Sequence, residues 1–270
     1  IHDIRGRLLT LGYLLEAFML LGRDPIPVHT LLAEGETLLS SLDSSAFPRE
    51  QALLWLQMGF CYALRGEDSR EGYRASQNAY FLARKLKDRP LEIHALINAM
   101  IPLILSGEYV EADEIRIRVE RMLQKGRYPE LEAVFWKAWS ELVLLGGRLD
   151  LETGAYLVGR LNKRIERLGL LYIQAPAMYS ELALHMYAGH TDKAEEMGQR
   201  LQDFADGTDN LYAKGMCYLL RGLHAYWLGQ WDKAGERMET GLEIFRSPDM
   251  KSPFHDHLFS TGAALIHFHL

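Results

Sequence analysis

The stretch that decides the fold is AYWLGQWDKAGERM, at residues 225–238. An apolar run ends at Gly229, a polar segment follows that starts a new helix, and the small residue Ala234 stands five positions after the glycine. Two other stretches repeat this order, LILSGEYVEADEI at 103–115 and HMYAGHTDKAEEM at 185–197. Recurrence of one pattern at a fixed distance is the sequence signature of a repeat architecture.

The distance between repeats is set by five glycines that follow apolar runs: Gly66, Gly107, Gly147, Gly189 and Gly229. Their steps are 41, 40, 42 and 40 residues. A period of about 41 predicts an all-α fold, an α-solenoid of about six helix-turn-helix repeats, which we expect to be right-handed. In such a chain each repeat buries its apolar face only against its neighbours. We expect one helical-repeat domain over residues 1–270.

Each repeat is predicted to hold two helices of different character. The first helices are predicted over 3–21, 48–65, 90–106, 129–145, 172–188 and 210–228, with a last one from 254 to the end. The second helices are predicted over 28–42, 69–87, 109–125, 151–168, 192–205 and 232–245. Prolines stand in three of the first turns, where proline is tolerated, and the repeat glycines suit left-handed caps. The first helices are apolar nearly all round, so they are buried or line a filled groove.

Composition sets the broad class of protein. The chain has 270 residues, of which 48% are apolar, and a net charge of -6. It therefore has ample material for a core and no overall basic footprint for nucleic acid. The two cysteines, Cys61 and Cys217, both lie in apolar helical stretches and are predicted to be reduced, buried thiols of a cytoplasmic protein.

Membrane and targeting segments are not evident in the sequence. No apolar run reaches the roughly 18 residues that a spanning helix needs, so we expect no membrane association. No signal-peptide pattern opens the chain. The sequence starts at Ile1 without a methionine and ends inside the apolar run AALIHFHL, so we expect it to be a fragment of a longer protein.

The residues around the glycines resemble those of tetratricopeptide-type repeats. In three repeats a small residue stands five positions after the repeat glycine. In two repeats another glycine, Gly59 or Gly222, stands seven positions before the repeat glycine. Large residues stand eleven positions before the glycines: Trp55, Leu96, Trp136, Met178 and Tyr218. Two repeats depart from the pattern, with Glu71 and Glu152 where alanine is expected, and the period is longer than the usual 34.

This longer form is similar to the sensor domain of MalT-type transcription regulators of the LuxR family. The resemblance covers essentially the whole chain and implies a small-molecule effector, sugar-like in the best-known member, and self-association on activation. Such regulators also carry a nucleotide-binding module and a DNA-binding helix-turn-helix. Neither is present in this sequence, so we assign neither activity to it.

Catalytic and metal motifs are scarce. The sequence has no phosphate-cradling G-x-x-x-x-G-K, no H-E-x-x-H, no C-x-x-C and no G-x-S-x-G, so we expect no enzyme and no cofactor. The best metal candidate is a group of histidines near the C-terminus: His255, His257, His267 and His269. Imidazole suits zinc, but residues two apart on a helix point to different sides. Ordinary solvated or packed histidines are therefore the favoured interpretation.

Polar and aromatic residues that interrupt the apolar first helices are the ligand-binding candidates. Glu181 and Arg221 both precede their repeat glycine by eight residues, so adjacent repeats should bring them close, as a structural ion pair or as a polar anchor for a ligand. Aromatic rings crowd the last repeats, where they pack or stack on a ligand. The full candidate set is Glu181, Arg221, Tyr179, His185, His224, Tyr187 and Trp227. The charged segment ARKLKDR, at 83–89, is interpreted as a solvated face.

The repeat pattern and the candidate residues indicate two possible functions. The first is an effector-sensing or protein-interaction domain of a bacterial transcription or signalling regulator, which binds on the concave face lined by the first helices. A bound effector would shift the population of conformations. The second is a docking scaffold for a peptide or partner helix, with no small-molecule ligand. The expected partners are other proteins or neighbouring domains of the same chain, without direct nucleic-acid binding by this region.

Overall fold

The computed structural model describes residues 3–21, 28–43, 45–65, 69–145, 149–208, 210–250, 255–256, 260 and 263–264. Over these residues the chain forms twelve α-helices and no strand. The all-α prediction is therefore confirmed. The described residues up to Leu142 form one compact unit and those from Val143 onward form a second, here called unit 1 and unit 2.

Unit 1 is a series of packed helices. They are α1 (Ile4–Leu21), α2 (Val28–Ser40), α3 (Pro48–Arg65), α4 (Ser69–Leu86), α5 (Arg89–Leu105), α6 (Tyr109–Leu123) and α7 (Pro129–Leu145), the last belonging to it as far as Leu142. From α1 to α6 each helix packs on the next, and in addition α1 packs on α3 and α3 on α5. The first helices of consecutive pairs therefore contact each other, as in a stack of helix pairs.

Unit 2 repeats this arrangement. Its helices are α8 (Leu151–Leu168), α9 (Gln174–Tyr187), α10 (Thr191–Thr208), α11 (Leu211–Trp227) and α12 (Trp231–Arg246), with a 3-10 turn at Leu171–Ile173 before α9. Each helix packs on the next, and α9 also packs on α11. The layering of first helices is thus found within both units.

The repeat glycines cap helices as predicted wherever the structure describes them. Gly107, Gly189 and Gly229 have φ of 79°, 70° and 71°, the left-handed region that favours glycine. The residue after each of them donates its N–H to the carbonyl five positions earlier, at 2.8 to 2.9 Å, which is the Schellman arrangement. Gly66 and Gly147 lie outside the described residues.

Small residues bring the helices of a pair into backbone contact. Ala112, Ala194 and Ala234 are fully buried, as the repeat pattern predicts. A Cβ added to Gly222 on α11 would lie 3.3 Å from the carbonyl oxygen of Ala234 on α12. Gly59 holds the equivalent place in unit 1, where an added Cβ would lie 3.1 Å from the Gly72 oxygen.

Helix boundaries differ from prediction at two places in unit 2. The helix predicted over 172–188 begins at Gln174, because Leu171–Ile173 forms the 3-10 turn instead. The helix predicted to end at 205 continues to Thr208, where side-chain bonds from Gln202 to Asp206 and from Thr208 to the Phe204 carbonyl support its last turn. The helix predicted from 254 lies mostly outside the described residues.

Candidate anion-binding pocket

A basic pocket lies in unit 1, where the end of α4, the start of α5 and the end of α6 meet. Its volume is about 310 Å³. Five of the seven lining side chains are cationic: Arg84, Arg89, Arg118, Arg121 and Lys125. Glu92 and Met122 complete the wall, so the pocket gathers five positive charges around one carboxylate in a chain whose net charge is -6.

A tight connection between α4 and α5 places two of these lining residues, Arg84 and Arg89, side by side. Lys87 adopts a left-handed conformation with φ of 59°, and the Asp88 N–H bonds to the Ala83 carbonyl at 3.0 Å. The Asp88 carboxylate then caps α5 by accepting from the Leu91 N–H at 3.2 Å. The α4 C-terminus and the α5 N-terminus, with Arg84 and Arg89, are thereby held next to each other.

The one carboxylate of the pocket, Glu92, already forms an ion pair with Arg89. Arg89 donates to Glu92 at 2.8 Å, and Glu92 is buried. Within the described part of the chain, neither Arg121 nor Lys125 forms an ion pair. These two cations are therefore available to an anion that enters the pocket.

Two of the other pocket arginines, Arg84 and Arg118, have the Tyr80 hydroxyl as their hydrogen-bond partner in place of a carboxylate. Arg118 lies over the Tyr80 ring, with its guanidinium carbon 4.6 Å from the ring centroid, and it donates to the Tyr80 hydroxyl. Arg84 donates to the same hydroxyl at 3.3 Å. Tyr80 thus orients two guanidinium groups without neutralising them, which leaves their charge for a ligand.

Helix dipoles account for part of this charge pattern. Arg84, Arg121 and Lys125 stand near helix C-termini, where cations are favoured by a few tenths of a kcal/mol up to about 1 kcal/mol. That preference explains cations at single helix ends, but it does not explain why three elements direct them at one cavity. Guanidinium and ammonium groups that converge in this way bind phosphate or carboxylate oxygens. Arginine, lysine, glutamate and methionine side chains make up this lining, which suits the binding of an anion.

The predicted pairing of Glu181 with Arg221 is wrong. Glu181 on α9 accepts instead from Asn162 on α8, at 2.8 Å, and Arg221 on α11 donates to Glu195 on α10, at 2.9 Å. Both side chains reach back to the second helix of the preceding pair rather than along the row of first helices. A shared offset from the repeat glycine gives the two side chains equivalent directions, and equivalent directions cannot point at each other.

Arg221 belongs to a charge cluster in unit 2 that we call the Glu195 node. The Glu195 carboxylate lies 2.9 Å from Arg221, 3.3 Å from Arg237 and 4.0 Å from Lys233. Burial opposes ionisation of Glu195, but its bond to Arg221 and the charges of Arg221, Arg237 and Lys233 outweigh burial and lower its pKa. His224, buried and 3.9 Å from the same carboxylate, has its pKa lowered mainly by burial.

The aromatic and histidine candidates mostly serve packing. Tyr179 is buried with its ring centroid 6.3 Å from that of Tyr212, and burial raises its pKa well above the usual value. Burial likewise lowers the pKa of His185, whose ring faces His190 at 5.8 Å. The remaining pair, Tyr187 and Trp227, has ring centroids 5.2 Å apart, and Trp227 is 46% exposed. The structure thus divides the predicted residues among separate contacts.

The terminal histidines show one packing role and no described metal cluster. His255 is buried, stacks on Phe245 with ring centroids 4.6 Å apart, and shares a hydrogen bond of 3.2 Å with the Tyr212 hydroxyl. His257, His267 and His269 lie outside the described residues. Among the residues that the structure describes, no group of three or more His, Cys, Asp or Glu side chains could hold a metal ion.

The basic pocket does not follow from the sequence patterns described above. The segment at 83–89 has the composition of a solvated face, although two consecutive second helices, α4 and α6, both end in basic residues. That coincidence in neighbouring repeats is the signal that could indicate the pocket.

None of the described helices meets the length and hydropathy needed to cross a membrane. No family model and no curated protein matches the chain.

Proposed function

We propose that this chain is an effector-sensing helical-repeat domain of a larger bacterial regulator, and that an anionic effector binds the basic pocket of unit 1. The observation that carries the proposal is the convergence of five cationic side chains on one cavity whose only carboxylate is already paired. The tetratricopeptide-like helix pairs support a binding role, since repeat proteins present surfaces rather than catalytic clusters. The two buried thiols support a cytoplasmic setting.

The proposed mechanism is a shift of population. Like charges at the ends of α4, α5 and α6 repel one another when the pocket is empty, and an anion between them replaces that repulsion with attraction. A ligand therefore favours the arrangement in which the three helix ends lie close together. Neighbouring domains of the regulator would respond to that arrangement.

Thermal unfolding tests the proposal. Sodium tripolyphosphate and citrate should raise the unfolding temperature of the chain, whereas neutral sugars should not, because only anions gain from the pocket charge. At a free ligand concentration of about 100 times Kd, binding should stabilise the native state by about 2.7 kcal/mol. The measurement is the unfolding temperature against ligand concentration at constant ionic strength.

A matched pair of double variants separates the pocket from overall charge. Arg121→Gln with Lys125→Gln removes two pocket cations and should abolish most of the response. Lys163→Gln with Arg200→Gln removes two exposed cations of unit 2, has the same net charge, and should retain the response. Equal loss in both, or no response of the unaltered chain to any anion, would overturn the proposal.

The second candidate is a docking scaffold, here for a second copy of the chain. It is favoured by two exposed apolar residues at the end of α11, Trp227 and Leu228, which are 46% and 44% exposed. Tryptophan is enriched among residues that dominate interface energies. Under this alternative, light scattering should detect concentration-dependent association that Trp227→Ala weakens, and the anion response should be absent.

A further inference from the structure

Phe81 presents an exposed aromatic ring on the same helix as Arg84, one of the cations that line the basic pocket. It lies on α4 three residues before Arg84, and residues three apart are neighbours on a helix surface. The side chain is 60% exposed. Its ring centroid is 5.3 Å from that of Tyr80, the residue that orients Arg84 and Arg118 at the pocket wall.

The position of this ring distinguishes it from ordinary exposed apolar residues. A single exposed hydrophobic side chain needs no explanation by itself. Phe81, however, shares one surface of α4 with Arg84, which is one of the four pocket cations that have no carboxylate partner in the wall. An aromatic face beside a cluster of phosphate-binding groups is how proteins bind a phosphorylated molecule that also carries a flat ring.

Resting on the proposed function, we infer that the effector is a small nucleotide-like molecule, with its phosphates in the basic pocket and its ring stacked on Phe81. Arginines and Lys125 supply the donors that phosphate oxygens require. The volume of about 310 Å³ lies at the lower end of small-molecule sites, so it accommodates a short phosphate chain and leaves the ring at the rim.

The charge of the rest of the chain favours a small ligand over a nucleic acid. A polynucleotide contacts an extended basic surface, and its affinity comes from many phosphate contacts. Here the chain has a net charge of -6, and the positive charge described above is gathered at one cavity. A mononucleotide uses that local charge without bringing further phosphates against an acidic protein.

Isothermal titration of the full chain with ATP and with tripolyphosphate tests the inference. Both should bind, and ATP should bind about tenfold more tightly because ring stacking adds to the phosphate contacts. Phe81→Ala should weaken ATP about tenfold and leave tripolyphosphate unchanged. Phe81→Trp keeps a stacking surface and should retain ATP affinity. Tyr13→Ala removes an aromatic ring that is 64% exposed on α1, as a matched control, and should change neither ligand.

The outcomes separate the two proposals. If tripolyphosphate binds and Phe81→Ala leaves ATP unaffected, the ring inference is overturned while anion sensing stands. If neither compound binds the unaltered chain, both proposals are overturned. If a single-stranded oligonucleotide binds far more tightly than ATP, the inference of a small ligand is wrong.

Discussion

At the scale of single residues, one carboxylate holds the Glu195 node together. Arg221 and Arg237 are each only 14% exposed, and Arg237 also donates to the Arg221 carbonyl at 3.2 Å. Gly198 on α10 makes room for this arrangement, since an added Cβ would lie 3.0 Å from the Arg221 side chain. The packing therefore holds the Arg221 side chain in a place where the Glu195 carboxylate is its charged partner.

Glu195→Gln should lower the free energy of unfolding by about 1–2 kcal/mol, since two mostly buried guanidinium groups lose their charged acceptor. Glu195 is 44% exposed, so solvent screening limits the effect to that range. Urea unfolding at pH 7 measures it. Glu196→Gln, an exposed carboxylate one residue further on, is the control and should change stability little. Equal losses in the two variants would show that Glu195 acts only through net charge.

At the scale of helices, the crossing of α3 and α4 depends on two glycines. A Cβ on Gly72 would lie 2.9 Å from both the Ala63 nitrogen and the Gly59 oxygen, which are backbone atoms of α3. Backbone cannot rotate away as a side chain can. The two helices must therefore separate if either glycine gains a side chain.

Gly72→Ala should destabilise the chain by about 1–3 kcal/mol through overpacking, although alanine is the better helix former. Gly159→Ala on α8 is the matched change, because nothing lies within 4 Å of its added Cβ. There the same substitution should stabilise by up to about 1 kcal/mol. Opposite signs in urea unfolding are expected, and a stabilising Gly72→Ala would refute the close crossing.

The elements are easier to predict than the pocket, because they depend on local signals. A glycine such as Gly107 and the apolar periodicity before it act within a few residues, so α5 can be predicted from the sequence almost to its boundaries. The pocket joins Arg84, Arg89 and Arg118 from three helices, and its existence depends on which sides of those helices face one another. The predicted ion pair of Glu181 with Arg221 is wrong for the same reason, since an offset along the chain gives no direction in space.

At the scale of the whole molecule, three histidines in partly or fully buried positions couple stability to pH. Burial lowers the pKa of His94 to about 4, and it also lowers the pKa values of His185 and His224. In the unfolded chain these histidines bind protons near pH 6.5, whereas in the native state they stay neutral to a lower pH. The contribution of these histidines to stability is therefore greatest above pH 6.5 and falls as the pH drops toward 4.

For His94 the loss between pH 6.5 and 4.5 should reach about 2 kcal/mol, at about 1.4 kcal/mol per pH unit. Urea unfolding across this range measures the slope. His94→Leu should flatten the slope, and His29→Leu, at an exposed position on α2, should leave it unchanged. Carboxyl groups with lowered pKa values, such as Glu195, contribute equally in the unaltered chain and in His94→Leu, so the difference between the two slopes reports on His94. An unchanged slope in His94→Leu would contradict the assignment.

The two cysteines have a consequence for how opening of the chain can be observed. Cys61 lies in unit 1 and Cys217 in unit 2, and both thiols are fully buried. Burial also raises the pKa of Cys217 to about 11, which suppresses its reactive thiolate. A thiol reagent can modify each cysteine only when the surrounding structure opens. The rates of modification at the two positions therefore report separately on local opening of the two units. The unaltered chain thus has one built-in probe of opening in each unit.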